Sequence, residues 1–360
     1  MNFKLTYSVP GKKIHTSIYL GKGTFDKITS LISLNKYSSI LVIVDENVYR
    51  SWSKRIQNIL GKDSSYLIIR SGEKNKTLVT VEKIWTTLSK KGYDRKSLVI
   101  NIGGGMVCDI GAFASSTYMR GIDFIQVPTT LLAMADAAIG GKTGLNYNGL
   151  KNTIGTFSAP LVVISDTSFL FTLPSREFTS GLAEILKHAI IADKDLFTFL
   201  IKKKLTPLHE KELDKILSLA TAIKCKIVNR DPFEKNERKK LNFGHTVGHA
   251  IEMACQNSTA PLLHGEAVAI GMIAEARMSF LSGFLPEKRF REIEKIITKT
   301  GFPVKVHAKY NNAISKKMLF DKKNVGQQIK WAFLEDIGKV TVDKSLSDKI
   351  VNEGLHYILK

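Results

Sequence analysis

The sequence of 360 residues predicts an α/β half built on a parallel sheet, followed by an all-α half that carries a metal site. Three observations lead there. Short β-branched runs alternate with helical stretches up to about residue 166, and such alternation implies parallel strands with helices on both faces. From Glu177 the periodicity is helical almost throughout. In that helical half three histidines and a glutamate stand in apolar-flanked segments.

After a polar opening, residues 39–45 read as a buried parallel strand, an apolar run ending in an acid. Residues 48–60 have helical spacing and stop at Gly61; 65–70 form a second strand. Residues 77–91 are an amphipathic helix with Leu78, Val81, Ile84, Trp85 and Leu88 on one face, and 97–102 are a third strand. This Rossmann-like order gathers ligands beyond the carboxyl ends of the strands. Asp45, the SGEKNK turn at 71–76 and Gly103-Gly104-Gly105 all sit there. The triple glycine lets bare N–H groups approach a pyrophosphate at a helix start, although it is not GxGxxG, and glycine also serves ordinary turns. Asp45 suits a ribose hydroxyl and equally suits a helix N-cap.

Residues 124–130 give a further strand, followed by Asp136, the GGKT run at 140–143, Lys151 and Asn152. A P-loop is excluded because Ala137 stands where its first glycine belongs. What remains is a glycine-relaxed loop that offers lysines to an anion. After a last strand at 161–166 the character changes, so the expected domains are 1–170, α/β and nucleotide-binding, and 171–360, helical and metal-binding. The expected helices of the second are 181–192, 208–228, 241–253, 265–280 and 287–300.

A net charge of +20 admits nucleic acid, an anionic membrane or small acidic substrates. The lysines, however, are scattered, as at 202–204, and aromatic residues are not interleaved with them as a base-stacking surface requires. No apolar run approaches the roughly 20 residues that span a bilayer. The first residues lack the apolar core of a secretory signal, so neither nucleic acid nor membrane is expected as a partner, and residence is expected in the cytoplasm. The three cysteines, Cys108, Cys225 and Cys255, form no CxxC, which argues against a disulfide framework or a cysteine zinc site.

The run LNFGHTVGHAIE at 241–252 puts His245 and His249 on one helical face, with about 5 to 6 Å between their β-carbons. His264 opens the next helix, and Glu184 lies in the run GLAEILKH at 181–188. Neutral histidines with a carboxylate are the donors of a catalytic zinc that keeps a position open. A lone histidine of this kind more often satisfies a buried hydrogen bond. Three with a glutamate favour the metal.

The segments GGGMVCDIGAFASSTYMRGIDFIQVPTTLLAMADAAIGGKTGLN, LKNTIGTFSAP, LPSREFTSGLAEILKHAII, LNFGHTVGHAIE and LLHGEAVAIGM resemble, in the same order, the 3-dehydroquinate synthases. The resemblance runs from about residue 40 to the segment 321–323. It implies a dehydroquinate synthase-like fold and an NAD-dependent, zinc-dependent lyase, with cobalt as an alternative ion. Its substrate would be the anionic 3-deoxy-D-arabino-heptulosonate 7-phosphate, its products 3-dehydroquinate and phosphate, and its place the shikimate route to aromatic amino acids. A homodimer is implied as well.

By the same resemblance the metal ligands are Glu184, His245 and His264, while His249 faces substrate. NAD would be held by Asp45, Glu73, Lys76, Gly104, Gly105, Asp109, Thr129, Thr130, Lys142, Lys151, Phe169, Leu170 and Thr172. Substrate would meet Arg120, Asp136, Lys142, Asn152, Lys187, Lys224, Arg238, Asn242, His249 and Lys322 or Lys323. A carboxylate and a phosphate on one sugar explain the number of cations.

Two stretches depart from the family pattern. GLNYNGLKN lacks the usual histidine and proline between its asparagines, so Tyr147, Asn148 and Gly149 are unusual, and Pro232-Phe233 stands where polar residues are usual. The related 2-deoxy-scyllo-inosose synthases typically lack the pairs kept here as Lys142-Thr143 and Leu241-Asn242. Metal-dependent alcohol and glycerol dehydrogenases share the architecture, and Glu184 with His188 mimics their ligand pair. A neutral polyol has no use for Lys142, Lys187, Lys224 and Arg238 together.

Overall fold

The computed structural model describes residues 3–8, 15–62, 64–206, 208–319 and 329–360. By internal contacts the chain divides into one unit comprising Met1–Pro174 with Lys224–Phe233, and a second comprising Ser175–Ile223 with Glu234–Lys360. The first is organised by a seven-stranded sheet of order β1-β2-β9-β6-β5-β3-β4. Its strands are β1 (Phe3–Ser8), β2 (His15–Leu20), β3 (Ile40–Asp45), β4 (Ser65–Ile69), β5 (Leu98–Gly103), β6 (Asp123–Pro128) and β9 (Val162–Ser165). All neighbours pair in parallel except β1 with β2. The interior strands β3 and β5 are buried almost end to end, which is why they read as continuous apolar runs. The strand order reverses at β3, which has β4 on one side and β5 on the other. A ligand crevice is expected at that switch point.

After a short α1 (Ile28–Leu31), α2 (Glu46–Leu60), α3 (Leu78–Lys90) and α4 (Gly105–Thr117) alternate with the strands. Asp45 caps α2, accepting from the Asn47 and Val48 amides at 3.0 and 3.1 Å. Val81, Ile84 and Leu88 of α3 enter the core with Val107, Ile110 and Phe113 of α4, and Trp85 packs against it, as the apolar spacing of α3 predicts, whereas Leu78, the first residue of the helix, is exposed. The chain from 142 to 157 is not a loop: β7 (Lys142–Tyr147) and β8 (Leu150–Phe157) form a hairpin. Its link, Asn148-Gly149, has φ of 48° and 74°, the two positive values that a two-residue type I′ turn requires. The N-terminal strands β1 and β2 likewise replace the expected polar opening.

Asp166, fully buried after β9, accepts from the amides of Gly23, Phe25 and Ser168 at 2.9 to 3.0 Å and from Arg55 Nη2 at 2.7 Å. The Arg55 guanidinium lies among the rings of Phe25, Trp52 and Phe169, 5.4 to 5.7 Å from their centroids. Burial pushes the Asp166 carboxyl up, but these donors outweigh it and hold it below the usual carboxylate range. A depressed folded pKa contributes stability above the unfolded value, near 3.9, and loses it as pH falls through the folded value. Asp166→Asn is therefore expected to flatten the loss of stability below about pH 4; denaturant titrations that show equal acid slopes for both proteins would remove this assignment.

The second unit contains α5 (Ser175–Ala192), α6 (Lys194–Lys202), most of α7 (Glu210–Arg230), α8 (His245–Cys255), α9 (His264–Leu281), α10 (Glu287–Lys299), α11 (Asn311–Leu319) and α12 (Asp348–Tyr357). The sequence-based helices hold within a few residues, except that 237–242 form a separate 3-10 turn before Gly244. The helical half also carries an unexpected hairpin, β10 (Trp331–Asp336) with β11 (Lys339–Lys344). α9 is buried on nearly every face from Gly265 to Ser279, as a central helix must be when it is apolar all round. It lies against α8 by backbone contact, because a Cβ at Gly271 would stand 2.1 Å from the Gly244 carbonyl oxygen. Among the described residues no helix is long and apolar enough to cross a membrane.

Candidate metal centre and nucleotide cradle

α5, α8 and α9 bring Glu184, His245, His249 and His264 together. Glu184 is 1 % exposed. Its Oε1 lies 3.5 Å from Nε2 of His245 and 3.6 Å from Nε2 of His264. Two N/O donors at about 2.0–2.2 Å from a tetrahedral zinc stand about 3.3–3.6 Å apart, so the spacing fits an ion held between them. His249 belongs to the same cluster: one ring nitrogen from each of His245, His249 and His264 lies within 4.8 Å of the others. Position alone therefore does not set His249 apart from the ligands.

The electrostatics also favour a cation. Burial alone would lower the pKa of His264, but hydrogen bonds to Glu184 and Glu252, with their charges, lift it to about 9. His245 turns Nδ1 to the Phe243 carbonyl oxygen at 3.3 Å. Lys187, 1 % exposed, pairs with Glu184 one turn away on α5, and His188 is fully buried beside it in sequence.

Buried acids that the sequence reading does not single out include Glu275 and Glu252. Glu275, on α9, accepts from the amides of Gly244 and Val247 at 2.7 and 3.1 Å. It thus caps the start of α8, where Gly244 has no side chain to do so. An acid in the otherwise apolar run AIGMIAEA was the legible signal. Glu275→Ala leaves buried donors unmatched and is expected to cost about 1–3 kcal/mol in urea unfolding; a loss under about 0.5 kcal/mol would reduce the cap to a bystander.

In the first unit Asp45, Gly104, Gly105, Thr129 and Thr130 stand at the carboxyl ends of β3, β5 and β6, whereas Glu73 and Lys76 follow β4, Lys142 and Lys151 lie on the β7–β8 hairpin, and Phe169, Leu170 and Thr172 follow β9. Asp45 caps α2 and also accepts from Gly104, while burial raises its pKa. A Cβ on Gly104 would stand 3.1 Å from the Thr130 methyl, and the Thr129 amide donates to the Gly103 carbonyl at 2.9 Å. Lys76, 3 % exposed, reaches Asp109 at 2.5 Å and also Asn152. Lys151 lies 3.6 Å from Glu73. Phe169 and Leu170 are buried; Thr172 accepts from the Trp52 indole at 2.7 Å.

Of the predicted substrate residues, Asp136 sits on a π-turn, Ala133–Ala137, and pairs with Lys224 at 2.7 Å. Lys142 is exposed at the start of β7; Arg120 is exposed with φ of 68°, next to Met119 at 48°. Arg238 is 1 % exposed, and the Asn242 amide donates to Glu234 at 2.8 Å. Lys322 and Lys323 lie outside the described residues. The unusual Phe233 packs edge-on against Phe157 of β8, ring centroids 5.3 Å apart.

Fold and site define a class: two-unit proteins with a parallel-sheet unit and a helical unit centred on a cluster of histidines and a glutamate. A 2-deoxy-scyllo-inosose synthase solved with carbaglucose-6-phosphate, NAD+ and Co2+ has this fold, with a TM-score of 0.88 at 24% identity over 99% of this chain and 100% of that one. So does 2-epi-5-epi-valiolone synthase from Streptomyces hygroscopicus subsp. jinggangensis 5008 with NAD+ and Zn2+ bound, with a TM-score of 0.85 at 25% identity over 98% of each chain. Within that class, the profile of the 3-dehydroquinate synthase N-terminal region matches residues 66–180, and that of the C-terminal region matches 181–324. The 3-dehydroquinate synthase of Parabacteroides distasonis is 36% identical over 343 residues, 94% of this chain and 97% of the relative. The chain belongs to the 3-dehydroquinate synthase family and is an enzyme.

Proposed function

We propose that the chain converts 3-deoxy-D-arabino-heptulosonate 7-phosphate to 3-dehydroquinate and inorganic phosphate, a carbon–oxygen lyase reaction. The observation that carries this is the Glu184 carboxylate, 3.5 and 3.6 Å from the facing nitrogens of His245 and His264, with the buried cation Lys187 beside it. The family and the similar solved structures, which hold NAD+ with Co2+ or Zn2+, support NAD and a divalent ion as cofactors. When bound, the ion supplies Lewis acidity to adjacent sugar hydroxyls, and NAD supplies a transient hydride acceptor.

In this reading residues 1–170 hold NAD through Asp45, Glu73, Lys76, the Gly104 turn, Thr129, Thr130, Lys151 and the Phe169 segment. Residues 171–360 hold the ion through Glu184, His245 and His264. Lys142, Lys187, Lys224 and Arg238 bind the carboxylate and phosphate of the substrate as charge-assisted donors, with Arg120, Asp136, Asn152, Asn242 and Lys322 or Lys323 completing its contacts. His249 moves a proton at the substrate. With NAD bound, oxidation of one hydroxyl would acidify the neighbouring C–H so that phosphate could leave by elimination, and return of the hydride would precede ring opening and closure. No net NADH accumulates. Operation in the cytoplasm as a homodimer belongs to the same proposal, with sedimentation testing the dimer.

Incubation with the heptulosonate phosphate, catalytic NAD and zinc tests the reading. Phosphate and dehydroquinate in equal amounts without net NADH are expected. Steady NADH formation from glycerol, with no phosphate released from the sugar acid, would instead make the chain a dehydrogenase.

A further inference from the structure

α8 carries three polar groups on one stripe: His245, His249 and Glu252 stand at i, i+4 and i+7, positions that return to the same helical face. Glu252 is only 9 % exposed. Its Oε2 lies 3.2 Å from Nδ1 of His264, the first residue of α9. The other nitrogen of that ring, Nε2, faces Glu184 Oε1 at 3.6 Å.

A neutral imidazole has one N–H and one lone pair, and the acceptor beside one nitrogen decides which is which. With a carboxylate at Nδ1, the proton of the neutral ring belongs there, which would leave the Nε2 lone pair for an ion held between that nitrogen and Glu184. His245 meets the same need with a neutral partner, the Phe243 carbonyl at 3.3 Å. Glu252 brings a full negative charge and so also makes Nε2 of His264 a stronger donor. Glu252 lies within α8 and is buried where its carboxylate meets the His264 ring.

We propose that Glu252 is a positioning residue for the metal centre, fixing His264 with its Nε2 lone pair toward the ion. This rests on the reading of Glu184, His245 and His264 as the ligands. The test uses cobalt(II) alone as the probe, on the full chain freed of metal, and follows visible absorption and competition with a chelator. Glu252→Gln keeps the shape and an acceptor but not the charge; Glu252→Leu removes the acceptor. Cobalt affinity is expected to fall about 10-fold in the first and about 100-fold in the second, with an altered visible spectrum and an unchanged far-ultraviolet dichroism. If Glu252→Leu does not fold, Glu252→Gln decides. Wild-type affinity and spectrum in folded Glu252→Gln, alongside loss of cobalt in His264→Ala, would overturn the role of Glu252 alone. Wild-type affinity in His264→Ala would overturn the ligand assignment itself, and this inference with it.

Discussion

Glu184→Gln, His245→Ala and His264→Ala are each expected to lose the bound ion and to lower phosphate release on the order of 10³-fold or more. Lewis-acid activation is worth several kcal/mol of barrier, and each 1.36 kcal/mol is tenfold in rate. The Glu184 substitution is the most informative. Its carboxylate faces both ring nitrogens and pairs with Lys187, so the neutral isostere removes charge from the centre while keeping its volume. His249→Ala should retain the ion and lose turnover. Metal content after gel filtration, measured beside phosphate release, decides between them. A metal-replete Glu184→Gln with wild-type turnover would end the metal reading, whereas a metal-free His249→Ala would move that residue into the ligand set, where its ring nitrogen is close enough to belong.

Much of this was legible in the sequence, and the gaps have physical reasons. The interior strands β3 and β5 could be read because a parallel strand buried on both faces has no alternation to confuse. The i,i+4 pair His245 and His249 could be read because helical geometry alone puts them together. The β7–β8 hairpin is hidden in the sequence by its many glycines and the Gly-Lys-Thr run, which read as a loop, although Asn148-Gly149 is a strong turn signal. α8 starts four residues later than the apolar spacing suggests. Gly244, at φ 79°, interrupts the helix there, and a positive φ leaves no trace in apolar spacing. That Glu184 meets His264 across 80 residues of chain is a tertiary fact; the donor types suggested a shared ion, and likeness to a family singled out Glu184, His245 and His264 as its ligands. Glu252 and Glu275 had no such help.

Lys76→Met is expected to destabilise the first unit by about 2–3 kcal/mol, less than the cost of removing one partner from a fully buried ion pair, because the Asp109 side chain is 18 % exposed. Lys76 is 3 % exposed and joins three elements. Its Nζ reaches Asp109 of α4 at 2.5 Å and Asn152 of β8, and its carbonyl accepts from the Asn146 amide of β7 at 2.8 Å. Burial already pushes the Asp109 carboxyl up, and Lys76 is the first force opposing it. Without the lysine that pKa rises further. A carboxyl raised above its unfolded value keeps its stability below the unfolded pKa and loses it as pH rises through the folded one, so the deficit should be larger at pH 8 than at pH 5. Adding Asp109→Asn should return part of the loss, because the uncompensated charge is then gone. Urea titrations of the two single variants and the double variant at both pH values measure this. A deficit below about 1 kcal/mol, or a double variant no more stable than Lys76→Met, would mean that the pair is not what ties the hairpin to α4.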